Sequence, residues 1–289
     1  MDVSPQLLWQ SLINGFALGW LYILMALGLS LIFGITRIMQ FAHGEIYMVG
    51  GYVVYLFSVS LHLNLYLSIL LAMVIVGAFG LLLYYGLFKR FSGQMVNPII
   101  ISVGLTLILQ SAMIVTFGLS QRNLSRLAQG HFTVLGSPVP QDRILVIGVS
   151  FVLVLTLYVA LKKHRYGQAM VASVQSPEGA LLQGISHVRM GAISMFLGSA
   201  LAAAGGGLAG SVFQLTPFMG NQPLIKGLVI IVLGGLGSIP GVVAGGIMLG
   251  VLDGVMPVVI GSGWAAIIPL VIVMIVLIVK PTGLWGYER

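Results

Sequence analysis

Long uncharged runs of apolar residues, separated by short polar segments, recur along the whole chain. A helix crossing a bilayer needs about 20 mostly apolar residues. Eight runs meet this length or approach it: 12–35, 46–61, 65–88, 98–117, 144–161, 190–213, a broken run from 224 to 256, and 265–279. The second is short. The seventh is interrupted by Gly234-Gly235-Leu236-Gly237-Ser238-Ile239-Pro240-Gly241 before it resumes at Val242. It reads either as a re-entrant element followed by a span or as two short spans. The pattern predicts an all-α fold. It is a polytopic transmembrane helical bundle of about eight spanning helices with broken or re-entrant elements, forming a single domain over residues 1–289.

Two polar connections stand out. Residues 119–143 contain Pro138 and Pro140 and read as an extracytoplasmic loop. Residues 162–189 form a longer loop on the inside. Within it, Ser176-Pro177-Glu178 is a helix start, with Ser as N-cap, Pro in the first helical position and an acid in the first turn. A short amphipathic helix is expected there, ending near Gly184. Lys and Arg collect in cytoplasmic loops. With the N-terminus outside and the broken run counted as two passes, the inside holds Arg37, Lys89, Arg90, Lys162, Lys163, Arg165, Arg189, Lys280 and Arg289. The outside holds Arg122, Arg126, Arg143 and Lys226, a ratio of nine to four. One pass instead of two gives seven to six, so the orientation depends on that element.

Composition agrees with the pattern. Charged residues make up 7% of the 289 and hydrophobic residues 58%, with mean hydropathy +1.09. A soluble domain carries roughly 25% charged residues, so most of this surface must face lipid. The net charge of +7 is accounted for by loop cations, and no basic run is interleaved with aromatics, which speaks against nucleic-acid binding. There is no Cys, so disulfide and thiolate chemistry are excluded. The five His at 43, 62, 131, 164 and 187 lack metal-ligand spacing. The 39 Gly suit close helix contacts or broken helices. Met1-Asp2-Val3 lacks the basic start of a cleavable signal, and the apolar run that follows is too long for one; this segment is expected to be retained.

Three places carry candidate chemistry. In Gln40-Phe41-Ala42-His43-Gly44-Glu45, polar and ionisable side chains sit between apolar runs. Such groups at membrane depth are costly and mark pathways or paired contacts. The segment reads either as a helix break lining a route or as an interfacial turn, with Glu45 suiting a helix dipole. The Gly-rich element 234–246 reads as a bent backbone lining a cavity or as tight helix packing. Asp253 either pairs with a cation or lines a pore, or it lies near the end of its run and meets water. Glu178 docks a partner or is a solvated first-turn acid. No phosphate-binding GxxxxGK loop followed by Ser or Thr is present, so any ATPase lies on another polypeptide. No hydrolase-like Ser/His/Asp arrangement appears, and no enzyme activity is expected of this chain.

The ordered motifs resemble the LivH/LivM-type inner-membrane permeases of branched-chain amino acid ABC transporters. The resemblance is carried by Gln40-Phe41-Ala42-His43-Gly44-Glu45-Ile46-Tyr47-Met48-Val49-Gly50-Gly51-Tyr52, Arg165-Tyr166-Gly167, and Ser176-Pro177-Glu178 through Gly184-Ile185. It continues in Val232-Leu233-Gly234-Gly235-Leu236-Gly237-Ser238-Ile239-Pro240-Gly241 and Lys280-Pro281-Thr282-Gly283-Leu284-Trp285-Gly286. It spans nearly the whole chain, and its Phe41-Ala42-His43-Gly44-Glu45 segment is closer to the LivH side. Gln40, Ser176 and Gln183 depart from the family's usual Asn, Asp and Leu.

The resemblance implies a multi-pass permease of the bacterial inner membrane. Its partners would be a second, LivM-type permease, two cytoplasmic ABC ATPase subunits and a periplasmic substrate-binding protein. ATP and Mg would be bound by the ATPases, and this chain would hold no cofactor or metal. The route would involve Gln40, Phe41, His43, Glu45, Gly234, Gly235, Gly237 and Ser238. Coupling to the ATPase would involve Arg165, Tyr166, Gly167, Ser176, Pro177, Glu178, Gly184 and Ile185. Branched-chain amino acids are the expected cargo. Urea, short amides or aromatic acids are the alternatives, as is a stand-alone carrier or channel for a small polar solute.

Overall fold

In the computed structural model, the described residues are 4–280 and 283, apart from 92, 93, 95, 126, 129, 135, 136, 236 and 266. The sequence expectations for Met1-Asp2-Val3, Arg126, Leu236, Pro281, Thr282, Leu284-Trp285-Gly286 and Arg289 lie outside them.

Among the described residues, six helices are long and apolar enough to cross a membrane by length and composition. They are α1 (Pro5–Thr36), the segment built on α3 (Leu65–Leu83) and continuing to Phe91, α4 (Val96–Phe117), α5 (Gln141–Lys163), α8 (His187–Val212) and α10 (Ile239–Ile260). The other apolar helices are shorter. α2 (His43–Tyr55) runs on through a π-helical turn to Ser60, α9 spans Asn221–Gly234, and α12 spans Ile268–Val279. The expected count of about eight spans therefore rests on these shorter elements. The broken seventh run resolves into α9 and α10, a short helix and a long one. A single-turn α11 (Ser262–Ala265) precedes α12.

α1 and α8 form the buried centre. Ile23, Leu24, Met25 and Ala26 of α1 are inaccessible, as are Ala202, Ala203 and Ala204 of α8. A helix apolar on all sides is a core helix when others surround it. α1 packs most extensively on α10 and α8, and α8 also on α2 and α3. Small residues set these distances. A Cβ built on Gly15 would lie 2.8 Å from Gly250 O, and one on Gly19 would lie 2.9 Å from Gly246 O. No side chain fits there, so the α1 and α10 backbones touch. α4 lies at the other extreme: along most of its length it is exposed.

Both polar connections are more ordered than expected. Residues 131–140 contain a β-hairpin, β1 (His131–Val134) antiparallel to β2 (Ser137–Pro140), with His131 opposite Pro140. Pro138 and Pro140 sit in a two-stranded hairpin whose edges tolerate a missing N–H. The connection 162–189 is largely helical. α6 (Arg165–Gln175) precedes α7 (Pro177–Leu182), and only α7 was anticipated. α6 buries Gly167, Met170 and Ser173 at a spacing of three, one face of a helix. Gly34 of α1 and Gly237 both approach Val174 of α6. This end of the bundle thus gathers the end of α1, the α6–α7 pair and the α9–α10 turn.

Candidate functional site

α1 ends because Arg37 adopts a left-handed conformation, φ 58°, with its N–H on Phe33 O. The Thr36 hydroxyl donates to Ile32 O at 2.7 Å and accepts from Ile38 N at 3.3 Å, turning the chain back. Residues 37–42 then run beside α1 rather than away from it. A Cβ on Gly28 would lie 2.8 Å from His43 Nε2 and 2.7 Å from Gly198 O. α2 therefore begins level with Gly28, eight residues back from Thr36, about 12 Å at the helical rise of ~1.5 Å per residue. It starts partway along the long helices, and its α-helical part is 13 residues long.

α9 is the counterpart. From the end of α8, residues 213–220 descend without helical structure. They are held to the 119–143 connection by Arg122 N to Leu215 O at 3.0 Å and Leu215 N to Arg122 O at 2.8 Å. α9 begins at Asn221, directly against α2. A Cβ on Gly44 would lie 2.6 Å from Gly220 O. Two half-helices thus meet N-terminus to N-terminus inside the bundle, where their dipoles place positive charge.

Polar side chains converge at this junction. Glu45, in the first turn of α2, is 1% exposed. Gln110 Nε2 of α4 donates to Glu45 Oε1 at 2.8 Å and to Asn221 Oδ1 at 3.3 Å. Phe41 N donates to Ser102 Oγ of α4 at 3.2 Å. Among the described residues, the Gln40 and His43 side chains and Glu45 Oε2 are buried with no hydrogen-bond partner. Leaving such groups unmatched costs free energy.

A second polar cluster ties α9 to α1 and α10. Lys226 Nζ lies 2.8 Å from Asp253 Oδ1, and Tyr22 Oη donates to Asp253 Oδ2 at 3.1 Å. Of the readings of Asp253, pairing with a cation is the one the structure shows, and its side chain is 13% exposed rather than facing water. The acid is fixed by a lysine on the neighbouring helix.

The remaining sequence-nominated residues lie elsewhere. Gly234, Gly235, Gly237 and Ser238 form the α9–α10 turn, about 20 Å of helix from Asn221. Gly235 and Gly237 have φ 92° and 84°, and Ser238 Oγ caps α10 by accepting from Gly241 N at 3.2 Å. A Cβ on Gly283 would lie 2.7 Å from Gly235 N, so Gly283 packs on this turn. These residues build a tight turn and do not join His43 and Glu45. In α6–α7, Gly167 packs on the α5 backbone at Ala160 and Leu161. The His164 ring caps α6 through Tyr166 N at 3.4 Å, and the Arg165 guanidinium stands 4.9 Å above the Tyr166 ring. Ser176 Oγ caps α7 at Gly179 N, 3.2 Å away. Pro177 opens α7, and Gly184 closes it at φ 76°, just before Ile185. Leu181 and Leu182 of α7 project outward, Leu182 at 88% exposure.

A family described as the branched-chain amino acid transport system / permease component matches residues 11–278. The chain belongs to this family. It is 30% identical to the high-affinity branched-chain amino acid transport system permease protein LivH of Salmonella typhimurium, covering 98% of each chain. It is 28% identical to the BraD permease of Pseudomonas aeruginosa over 96% of this chain and 95% of that one. It is also 26% identical to a probable LivH permease of Methanocaldococcus jannaschii over 93% and 89%. No solved structure matches. The family is a transport component and not an enzyme family, and this member is a multi-pass membrane protein. Among the described residues, no group of three or more His, Cys, Asp or Glu could hold a metal.

Within this permease family member, the structure adds Gln110, Asn221, Ser102, Lys226 and Tyr22 to the residues nominated from sequence. One signal was available. Gln110 is the only carboxamide between residues 98 and 117, and a polar side chain there needs a partner.

Proposed function

We propose that the chain is one permease of an ATP-driven importer of branched-chain amino acids, lining the route together with a second, LivM-type permease in the bacterial inner membrane. A periplasmic binding protein delivers the solute, and two cytoplasmic ATPases supply ATP and Mg. The single observation that carries this reading is the meeting of two half-helices at Gly44 and Gly220 beside a buried, incompletely matched set of polar groups. Polar binding sites between broken helices are how transporters hold solute inside the bilayer. Gln40, Phe41, His43 and Glu45 border the route, and Gly234, Gly235, Gly237 and Ser238 set the angle of α9.

The α6–α7 pair is the coupling element, with Arg165, Tyr166, Gly167, Ser176, Pro177, Glu178, Gly184 and Ile185 shaping it. Its support is the exposed Leu181-Leu182 edge at the end gathered around α6. No observation favours a stand-alone carrier. The test is purification of the complex with its partner chains and reconstitution in liposomes. ATP-dependent leucine uptake is expected. Uptake that proceeds without ATPase subunits overturns the reading.

A further inference from the structure

The geometry points to Glu45 and Asn221 as a receptor for an N–H donor on the permeating solute, a place that the Gln110 amide fills when no solute is there. This inference rests on the reading of the α2–α9 junction as part of the route.

Three observations carry it. First, one nitrogen, Gln110 Nε2, serves two acceptor oxygens on different helices, Glu45 Oε1 at 2.8 Å and Asn221 Oδ1 at 3.3 Å. A carboxylate only accepts, so the nitrogen of Gln110 must face Glu45. Two acceptors converging on a single NH₂ is the arrangement an ammonium or a primary amide requires, and Gln110 has the group of such a solute.

Second, Glu45 Oε2 is buried with no hydrogen-bond partner, and Glu45 makes no ion pair among the described residues. It stands in the first turn of α2 and faces the start of α9, where both dipoles favour a negative charge. A buried carboxylate of this kind is short of one positive or N–H-bearing neighbour. Gln110, being neutral and bound to Oε1, supplies half of what the carboxylate accepts. An incoming nitrogen can satisfy both oxygens.

Third, the plug is on the right helix. α4 is the most exposed of the long helices and packs mainly on α2. Gln110 is half-buried, and Asn221 is exposed. Rotation of the Gln110 side chain uncovers Glu45 without disturbing the α1–α8 centre. The receptor selects solutes by nitrogen: an amino acid presents an ammonium, and urea or a short amide presents a neutral NH₂. A carboxylic acid without nitrogen has nothing to offer it.

The experiment uses the complete complex, with its partner permease and ATPases, in liposomes. Unaltered complex that takes up no leucine with ATP refutes the proposed function itself, before the receptor is reached. Given uptake, Glu45→Gln is expected to lower leucine kcat/KM by about tenfold, the cost of exchanging a charge-assisted bond for a neutral one. Uptake within twofold of the unaltered complex overturns the receptor. Asn221 is exposed, so Asn221→Ala tests the same site if Glu45→Gln fails to assemble; a loss of about threefold is expected, and no loss overturns the inference.

Gln110→Leu separates a plug from a tie. Emptying a receptor lowers the KM for leucine, whereas breaking a structural tie leaves it unchanged or raises it. In the Gln110→Leu complex, excess methylammonium is expected to compete with leucine better than acetamide does, and acetate is expected not to compete. Stronger competition by acetamide keeps the receptor but assigns it to neutral amides. Equal competition by acetate overturns it.

Discussion

Lys226 and Asp253 face each other at 2.8 Å across the α9–α10 contact, with Tyr22 of α1 closing the other carboxylate oxygen. Both side chains are mostly buried, at 16% and 13% exposure. Removing one partner strands the other charge, which costs about 3 kcal/mol in a buried setting. Asp253→Asn should therefore lower the melting temperature of the detergent-purified complex by several degrees. The double replacement Lys226→Met with Asp253→Leu should recover most of it, because no charge is left to desolvate. A single variant as stable as the parent would show that the pair contributes nothing.

Gly44 and Gly220 leave no space for a methyl group on either side. Gly220→Ala should push α9 off α2, at a cost of about 1–3 kcal/mol from overpacking, and should reduce transport more than stability alone explains. Gly148 meets nothing within 4 Å of its Cβ position, and Gly148→Ala should be silent in both assays. Equal behaviour of the two variants in transport and thermal stability would refute the close junction.

Leu182 is 88% exposed, and Glu178 is exposed in the same short helix. Leu182→Asp and Glu178→Lys should leave expression and insertion unchanged, since neither side chain is packed. Both should reduce co-purification of the ATPase subunits and uncouple ATP hydrolysis from uptake. Normal ATP-driven uptake by both variants would remove α7 from the coupling role.

The chain carries no Cys, so single replacements report orientation directly. α5 separates the β1–β2 hairpin from the α6–α7 pair. His131→Cys and Leu182→Cys should react with a membrane-impermeant maleimide from opposite sides, Leu182→Cys only from the cytoplasmic face. Labelling of both from one side would refute the crossing of α5.

The long helices were legible because an uncharged run of spanning length has one use. The cores of α1, α3, α4, α5 and α8 lie where hydropathy places them. The half-helices were harder to see. Hydropathy reports what a residue faces, not the depth at which its helix starts, so the 37–42 return beside α1 left no mark. The Gly-rich run was legible as a break, since Gly235 and Gly237 take φ angles that other residues avoid. Glu45 was legible as an anomaly, but its partners were not. Gln110 lies 65 positions beyond Glu45, and Asn221 a further 111 beyond Gln110, single polar residues that only packing brings together. The cation that pairs with Asp253 was not legible for the same reason: Lys226 is 27 positions away, on another helix. α6 was harder to read because two of its three buried residues, Gly167 and Ser173, carry no hydrophobic signal.

Because α2 and α9 start against each other with no room for a methyl group between Gly44 and Gly220, neither helix start can move toward the other. The two non-helical segments that lead into them, 37–42 and 213–220, are thereby yoked at a single point of backbone contact.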